Sequence, residues 1–132
     1  MAMFRTVAAL LLAAGAANAQ QPSPEAVVTP LMTNTLADYP GKEVLVLTVD
    51  YPPGAVDPVH RHDAHAFVYV LEGSIAMGMR GGQPVTLTPG QTFYEDPDGV
   101  HTIGRNTSET EPAKFLVVLL KNSGDPVFKP AQ

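Results

Sequence analysis

Turn-forming residues interrupt this chain at short intervals, and that spacing constrains its fold more than any other feature. The 132 residues include 13 prolines and 11 glycines, and the segments between them are short and rich in β-branched and aromatic residues. Strands that recur roughly every eight to twelve residues between Gly/Pro turns are typical of β-sandwiches and β-barrels. The sequence therefore predicts one all-β domain with a single core. The predicted strands are 42–50, 67–73, 74–80, 85–88, 91–95, 100–106 and 113–121, preceded by a short strand at 26–33.

Three further interpretations concern how these strands pack. Segments 67–73 and 74–80 meet at a glycine turn and are predicted to pair as a hairpin. The run "VVLL" within 113–121 shows no alternation, which indicates burial on both faces. Four aromatic residues are predicted to pack inside the barrel, unless a tyrosine hydroxyl reaches a bound ligand instead. They are Phe67, Tyr69, Phe93 and Tyr94.

The N-terminal segment has the pattern of a secretory signal peptide. Arg5 precedes an apolar run from Val7 to about Ala17, and Ala17-Asn18-Ala19 forms a small-x-small cleavage pattern. We expect residues 1–19 to be removed and the protein to be periplasmic or secreted. The alternatives are an N-terminal helix packed on the domain and an uncleaved anchor. The remaining divisions are a lead-in at 20–41, the barrel at 42–121 and a loose tail at 122–132.

Composition excludes several classes of site and partner. The chain has no cysteine, so disulfides and thiolate metal sites are excluded. Its net charge is −5, which argues against a nucleic acid or an anionic membrane as partner, because both attract a basic surface. A small molecule is the partner that we expect.

Three of the four histidines have the spacing of metal ligands. His60 and His62 lie two positions apart, so in a strand both imidazoles point to the same face. His101 begins another predicted strand and is the candidate third ligand. Neutral imidazole is a common ligand of Zn, Fe, Ni, Cu and Mn. The sequence therefore predicts one divalent metal held by these three residues.

The arrangement of these histidines resembles the cupin family. The first cupin motif is Gly, five residues, His-x-His, a glutamate and a final Gly, which Gly54, His60, His62 and Gly73 match. The resemblance covers about residues 42–121. It implies a small double-stranded jelly roll that binds one divalent metal through three histidines and one glutamate.

The second cupin motif is present with small shifts. Gly90 and His101 keep its spacing, whereas Pro97, Gly99 and Asn106 each fall one place late. Two motifs in the correct order make the resemblance specific.

The chain departs from the family at the glutamate of the first motif, where it has Ala66. Three alternatives remain open. His65 is adjacent but out of phase with position 66, and Glu95, near the second motif, has the carboxylate that is required. We favour the third alternative, in which three histidines and water complete the metal site.

The resemblance implies several functions. The main hypothesis is a small metalloenzyme, dioxygenase-like or an isomerase or lyase, that acts on an oxygen-bearing molecule while Glu95 or a tyrosine moves protons. The alternative is a non-catalytic binding or sensing module of the cell envelope. A homodimer is also expected, because small jelly rolls present sheet edges and flat apolar faces and cupins usually pair.

Overall fold

A computed structural model describes residues 21–132, which form an all-β structure of ten strands in two antiparallel sheets. The first sheet has the order β1-β2-β9-β4-β7 and the second has the order β10-β3-β8-β5-β6. The prediction of a jelly-roll fold is confirmed. The strands are β1 (Val27–Thr35), β2 (Lys42–Tyr51), β3 (His60–Arg61), β4 (Ala64–Glu72), β5 (Ile75–Met79), β6 (Val85–Leu87), β7 (Thr92–Glu95), β8 (His101–Asn106), β9 (Ala113–Asn122) and β10 (Lys129–Pro130).

The predicted signal peptide at 1–19 lies outside the described residues. Within residues 21–132, no helix is long and apolar enough to cross a membrane.

Strand β9 lies in the middle of the first sheet, where it pairs with β2 on one side and β4 on the other. Its side chains alternate along the whole strand: Phe115, Val117 and Leu119 are buried, while the intervening residues are only half-buried. Within one chain, β9 is therefore buried on its inner face only, and burial of its outer face against a partner stays a prediction. A run of apolar residues in a strand still places every second side chain on the outer face.

The same alternation corrects the prediction for the aromatic residues. Along β4, Ala66 and Val68 are buried, whereas Phe67 and Tyr69 are 51% and 45% exposed on the other face. Tyr94 on β7 is also exposed, at 48%. Three of the four aromatic residues thus lie outside the barrel; the fourth, Phe93, is half-buried and packs against the core.

The predicted hairpin between residues 67–73 and 74–80 is wrong. Strand β4 pairs with β7 and β9, whereas β5 pairs with β6 and β8 in the other sheet. The chain crosses between the sheets at Gly73, whose φ is 72°. A Cβ at this position would lie 2.5 Å from the Pro112 carbonyl oxygen. A glycine is therefore required here both by the turn and by the close approach of two chain segments.

Both terminal segments of the described chain contain an edge strand, the first near the strand predicted at 26–33 and the second within the tail that the sequence predicts to be loose. The lead-in contains β1, a nine-residue edge strand paired with β2. The tail contains β10, in which Lys129 pairs with Arg61 and Pro130 pairs with His60 on β3. The tail is therefore anchored beside the predicted metal ligands, because β3 has an unpaired edge there that β10 covers.

The crossing at Gly73 yields a test with an internal control. Gly41 and Gly73 both have a positive φ, but a Cβ at Gly41 would meet nothing within 4 Å. We expect Gly41→Ala to lower the free energy of unfolding by about 1–2 kcal/mol, the cost of a left-handed conformation. Gly73→Ala should cost clearly more, because the new methyl group also displaces the chain at Pro112. Denaturant unfolding of both variants measures the difference, and equal losses would contradict the close approach.

Candidate metal centre

Four side chains able to ligate a metal converge between the two sheets. His60, His62, Glu95 and His101 each offer one donor atom, and these atoms all lie within 4.8 Å of one another. Strands β3 and β8 place His60 directly opposite His101, and His60 Nε2 lies 3.2 Å from His101 Nδ1. The structure thus brings together the three histidines that the sequence predicts as ligands.

The alternation of buried and exposed side chains from His60 to His62 has a local cause. His60 is buried and His62 half-buried, whereas Arg61 between them is exposed. Directly after His62 the chain turns at Asp63, a non-glycine residue with a φ of 50°, a region that Asp tolerates better than most residues. The two imidazoles can therefore face inward although β3 itself has only two residues.

Glu95 supplies the carboxylate that the first motif lacks. Strands β4 and β7 pair with Ala66 directly opposite Glu95, and directly opposite residues of an antiparallel pair point to the same face. Glu95 is buried, with 4% of its surface exposed. The carboxylate therefore enters from the neighbouring strand, at the level of the expected glutamate. Of the alternatives that the sequence leaves open, this geometry agrees with the one in which Glu95 provides the carboxylate.

Backbone carbonyls orient two of the imidazoles. His60 Nδ1 lies 2.8 Å from the Pro58 carbonyl oxygen, and His62 Nδ1 lies 2.7 Å from the Val127 carbonyl oxygen. A carbonyl can only accept, so each Nδ1 carries a hydrogen and donates it. In the neutral imidazole, Nε2 then presents its lone pair to the cluster. Hydrogen bonds of this kind hold metal-ligating histidines in position.

The contacts within the cluster fit a bound cation. His62 Nε2 lies 3.0 Å from Glu95 Oε2, so a lone pair faces a carboxylate oxygen, which is repulsive unless a proton or a cation lies between them. Glu95 Oε2 and His101 Nε2 are buried and accept no hydrogen bond from residues 21–132. Since buried polar atoms nearly always have a partner, the cluster has the donor chemistry of a divalent metal site.

Burial and mutual contacts shift the pKa values of Glu95, His62 and His101 in different directions. Burial alone would raise the pKa of Glu95, but the contact with His62 and the other histidines outweighs burial and lowers it below 4.5. Burial would lower the pKa of His62, but Glu95 raises it above 6.5. The pKa of His101 is lowered, chiefly by burial. His62 is therefore a site where protons compete with a metal.

His65 lies outside the cluster, as its phase in the sequence predicts. It follows Ala64 on β4 and points to the outer face, where its Nδ1 lies 2.6 Å from the Tyr94 hydroxyl. The two rings stack with centroids 6.1 Å apart. The alternative in which His65 replaces the missing glutamate has no support in this geometry.

A cavity of about 310 Å³ lies beside the cluster. Most of its lining is apolar, including Leu47 and Val117 of the first sheet and Val127 and Phe128 of the C-terminal segment. The Phe128 ring lies 5.6 Å from the His60 ring. An apolar cavity of this size with a few convergent polar groups is typical of a small-molecule site. The sequence does not reveal the role of the C-terminal segment, because "PVFKP" carries no recognisable motif.

Comparison with known families identifies the chain. Residues 47–119 match the family model described as a cupin domain. This match covers more than half of the 132 residues and includes all four residues of the cluster. No curated protein matches the chain.

Solved structures have the same fold. One is an uncharacterized conserved protein with a double-stranded β-helix domain from Klebsiella pneumoniae, with a TM-score of 0.64 and 20% identity over 85% of this chain and 90% of that one. An oxalate oxidase in complex with the substrate analogue glycolate has a TM-score of 0.60 and 26% identity over 79% of this chain and 54% of that one. A DMSP lyase from Ruegeria pomeroyi has a TM-score of 0.58 and 23% identity over 67% of this chain and 43% of that one.

The chain thus spans about half of the oxalate oxidase and less than half of the DMSP lyase. The family match agrees with the two-sheet architecture and with the positions of the histidines. The chain belongs to the cupin family.

Proposed function

We propose that this protein is a mononuclear metalloenzyme that holds one divalent transition metal through His60, His62, Glu95 and His101. The observation that carries the proposal is the convergence of four donors, two of them with an atom that no residue of 21–132 satisfies, beside an apolar cavity. A metal bound there would supply Lewis acidity or O2 activation. Three imidazoles and one carboxylate suit Fe, Mn, Ni, Zn and Cu, and the donor set does not choose among them.

The residues of this chain would have distinct roles. The Pro58 and Val127 carbonyls fix the tautomer of His60 and His62, and the apolar walls exclude water from the bound molecule. We propose that Glu95 acts as the fourth ligand rather than as the proton-moving group that the sequence suggests, because its oxygens lie among the imidazoles.

Structural relatives support an enzyme over a non-catalytic binding module. Two of them are named for reactions, oxalate oxidation and DMSP cleavage. The reaction of this protein is a small-molecule conversion in the cavity. Failure of the metal-loaded protein to turn over any oxygen-bearing substrate would favour the sensing module instead.

We propose that the protein is exported and acts in the periplasm or outside the cell. Support comes from the pattern at residues 1–19 alone. The N-terminal mass of the protein from its host is the test, and a chain that retains Met1 would contradict export.

We also propose a homodimer that forms through the outer face of the first sheet. Phe67, Tyr69 and Tyr94 are each about half exposed there, next to the half-buried Leu116 and Val118 on β9. Contiguous exposed apolar surface of this kind typically marks an interface.

The metal ligands can be tested individually. We expect His60→Ala, His62→Ala and His101→Ala each to weaken metal binding by at least about tenfold, because each change removes one of the four donors that surround the ion. His65→Ala is the matched control and should bind normally, since His65 faces outward. Metal analysis after dialysis, with circular dichroism to verify folding, gives the result. Loss of metal in His65→Ala would overturn the ligand set.

Proton competition gives a second test of Glu95. Metal affinity should fall as the pH drops through the raised pKa of His62, because the ligating imidazole is neutral. In Glu95→Gln no carboxylate opposes the effect of burial, so the pKa of His62 should be lower than in the wild-type protein. The loss of metal affinity should therefore begin at a lower pH. At pH 8 the same variant should bind metal at least about tenfold more weakly. Competition with a chromophoric chelator between pH 5.5 and 8 measures both effects, and an unchanged pH profile would exclude the contact between His62 and Glu95.

The dimer face is tested by charge insertion. Phe67→Glu should convert a dimer into a monomer, because it buries an unpaired carboxylate in the interface. Val85→Glu on β6, also exposed but in the second sheet, should leave the dimer intact. Light scattering at micromolar concentration distinguishes the two results, and a monomeric wild-type protein would contradict the proposal.

A further inference from the structure

A second polar cluster lies in the same cavity and takes no part in the proposed metal site. Tyr51, at the end of β2, is completely buried, and its hydroxyl donates a short hydrogen bond to Asp57 Oδ2. The Tyr51 ring packs edge-on against Phe115, with centroids 5.0 Å apart. The tyrosine is therefore fixed by the core and holds the carboxylate of Asp57 in one position.

The backbone leaves space for this pair next to a proposed ligand. A Cβ on Gly104 would lie 2.9 Å from Asp57 Oδ2, 3.1 Å from the Tyr51 hydroxyl and 3.1 Å from His101 Cε1. A methyl group at this position would make tight non-bonded contacts with all three groups, and at least one of them would have to shift. The glycine thus leaves room for the tyrosine, the aspartate and the imidazole near the same point on β8.

Apart from the histidines, the charged side chains of the cavity wall are all acidic. Asp57, Glu25 and Glu95 line the cavity, and no lysine or arginine of the described residues does so. Glu95 would be neutralised by a bound metal. Asp57 accepts a hydrogen bond from Tyr51 through Oδ2, while no donor among residues 21–132 reaches its Oδ1. Asp57 is half-buried and lines the cavity, so this oxygen can accept a hydrogen bond from a donor that a bound ligand brings.

We propose that Asp57 determines the ligand specificity of the cavity. It would accept a hydrogen bond from a hydroxyl or an amine of a molecule whose other end binds the metal, and it would repel a ligand with a second anionic group. The substrate class is therefore an uncharged or cationic, largely apolar molecule that carries a hydrogen-bond donor. This inference depends on the proposed metal site for the position of the ligand.

Cobalt-loaded protein and four matched pyridines test the inference. Pyridine nitrogen binds the metal in each case, and a substituent at ring position 4 cannot chelate the same ion. The substituents are aminomethyl, hydroxymethyl, methyl and carboxymethyl, and titration of the cobalt absorption bands gives each affinity. We expect the aminomethyl compound to bind at least about tenfold more tightly than the carboxymethyl compound, because opposite charges attract strongly in a partly buried site.

Two variants that lack the negative charge of Asp57 should lose the preference for the aminomethyl over the carboxymethyl compound. Asp57→Asn and Asp57→Ser both keep an acceptor for the Tyr51 hydroxyl, so whichever of them folds by circular dichroism decides the result. The matched control is Asp50→Asn, because Asp50 forms an ion pair with Lys114 outside the cavity. The control should keep the wild-type preference.

The outcomes separate the two proposals. If cobalt does not bind to the wild-type protein, the metal site itself is wrong. If cobalt binds but the four pyridines rank alike in the wild-type protein and in the folded Asp57 variant, the role of Asp57 is wrong.

Discussion

Pairing of β9 with both β2 and β4 is the constraint on which the rest of the structure depends. These two ladders hold the first sheet together, and the inward side chains of β9 fill the space between the sheets. Phe115, Val117 and Leu119 are at once the core and a wall of the cavity. Burial of apolar surface, which contributes about 25 cal/mol per Å², therefore stabilises the fold and shapes the candidate site with the same residues.

The candidate site combines groups whose lone pairs repel one another unless a proton or a cation lies between them. Imidazole nitrogens oriented by Pro58 and Val127 face the carboxylate of Glu95 within a cluster that is mostly buried. A proton at His62 relieves part of this repulsion, and a divalent cation would relieve all of it. The Pro58 and Val127 carbonyls, which are not part of the cluster, orient two of its three rings.

The C-terminal segment links the fold to this chemistry. It supplies the Val127 carbonyl to His62, places Phe128 against His60 and covers the edge of β3 with β10. Without β10 the two-residue strand β3 would have only a single pair with β8 on its other side. The geometry of two proposed ligands thus depends on residues that are more than 60 positions away in the chain.

The sequence by itself determined the fold class and three members of the cluster. Turn spacing and β-branched segments are local signals, and the phase of His60, His62 and His65 follows from the twofold period of a strand. Only the tertiary structure decided what depends on pairing between distant strands. The register between β4 and β7 places Glu95 opposite Ala66. The pairing of the strands puts β4 and β5 in different sheets. The side chains of Phe67, Tyr69 and Tyr94 fall on the outer face of the first sheet. The alternation of a single strand limits its register, but the choice of its partners depends on contacts between segments far apart in the chain.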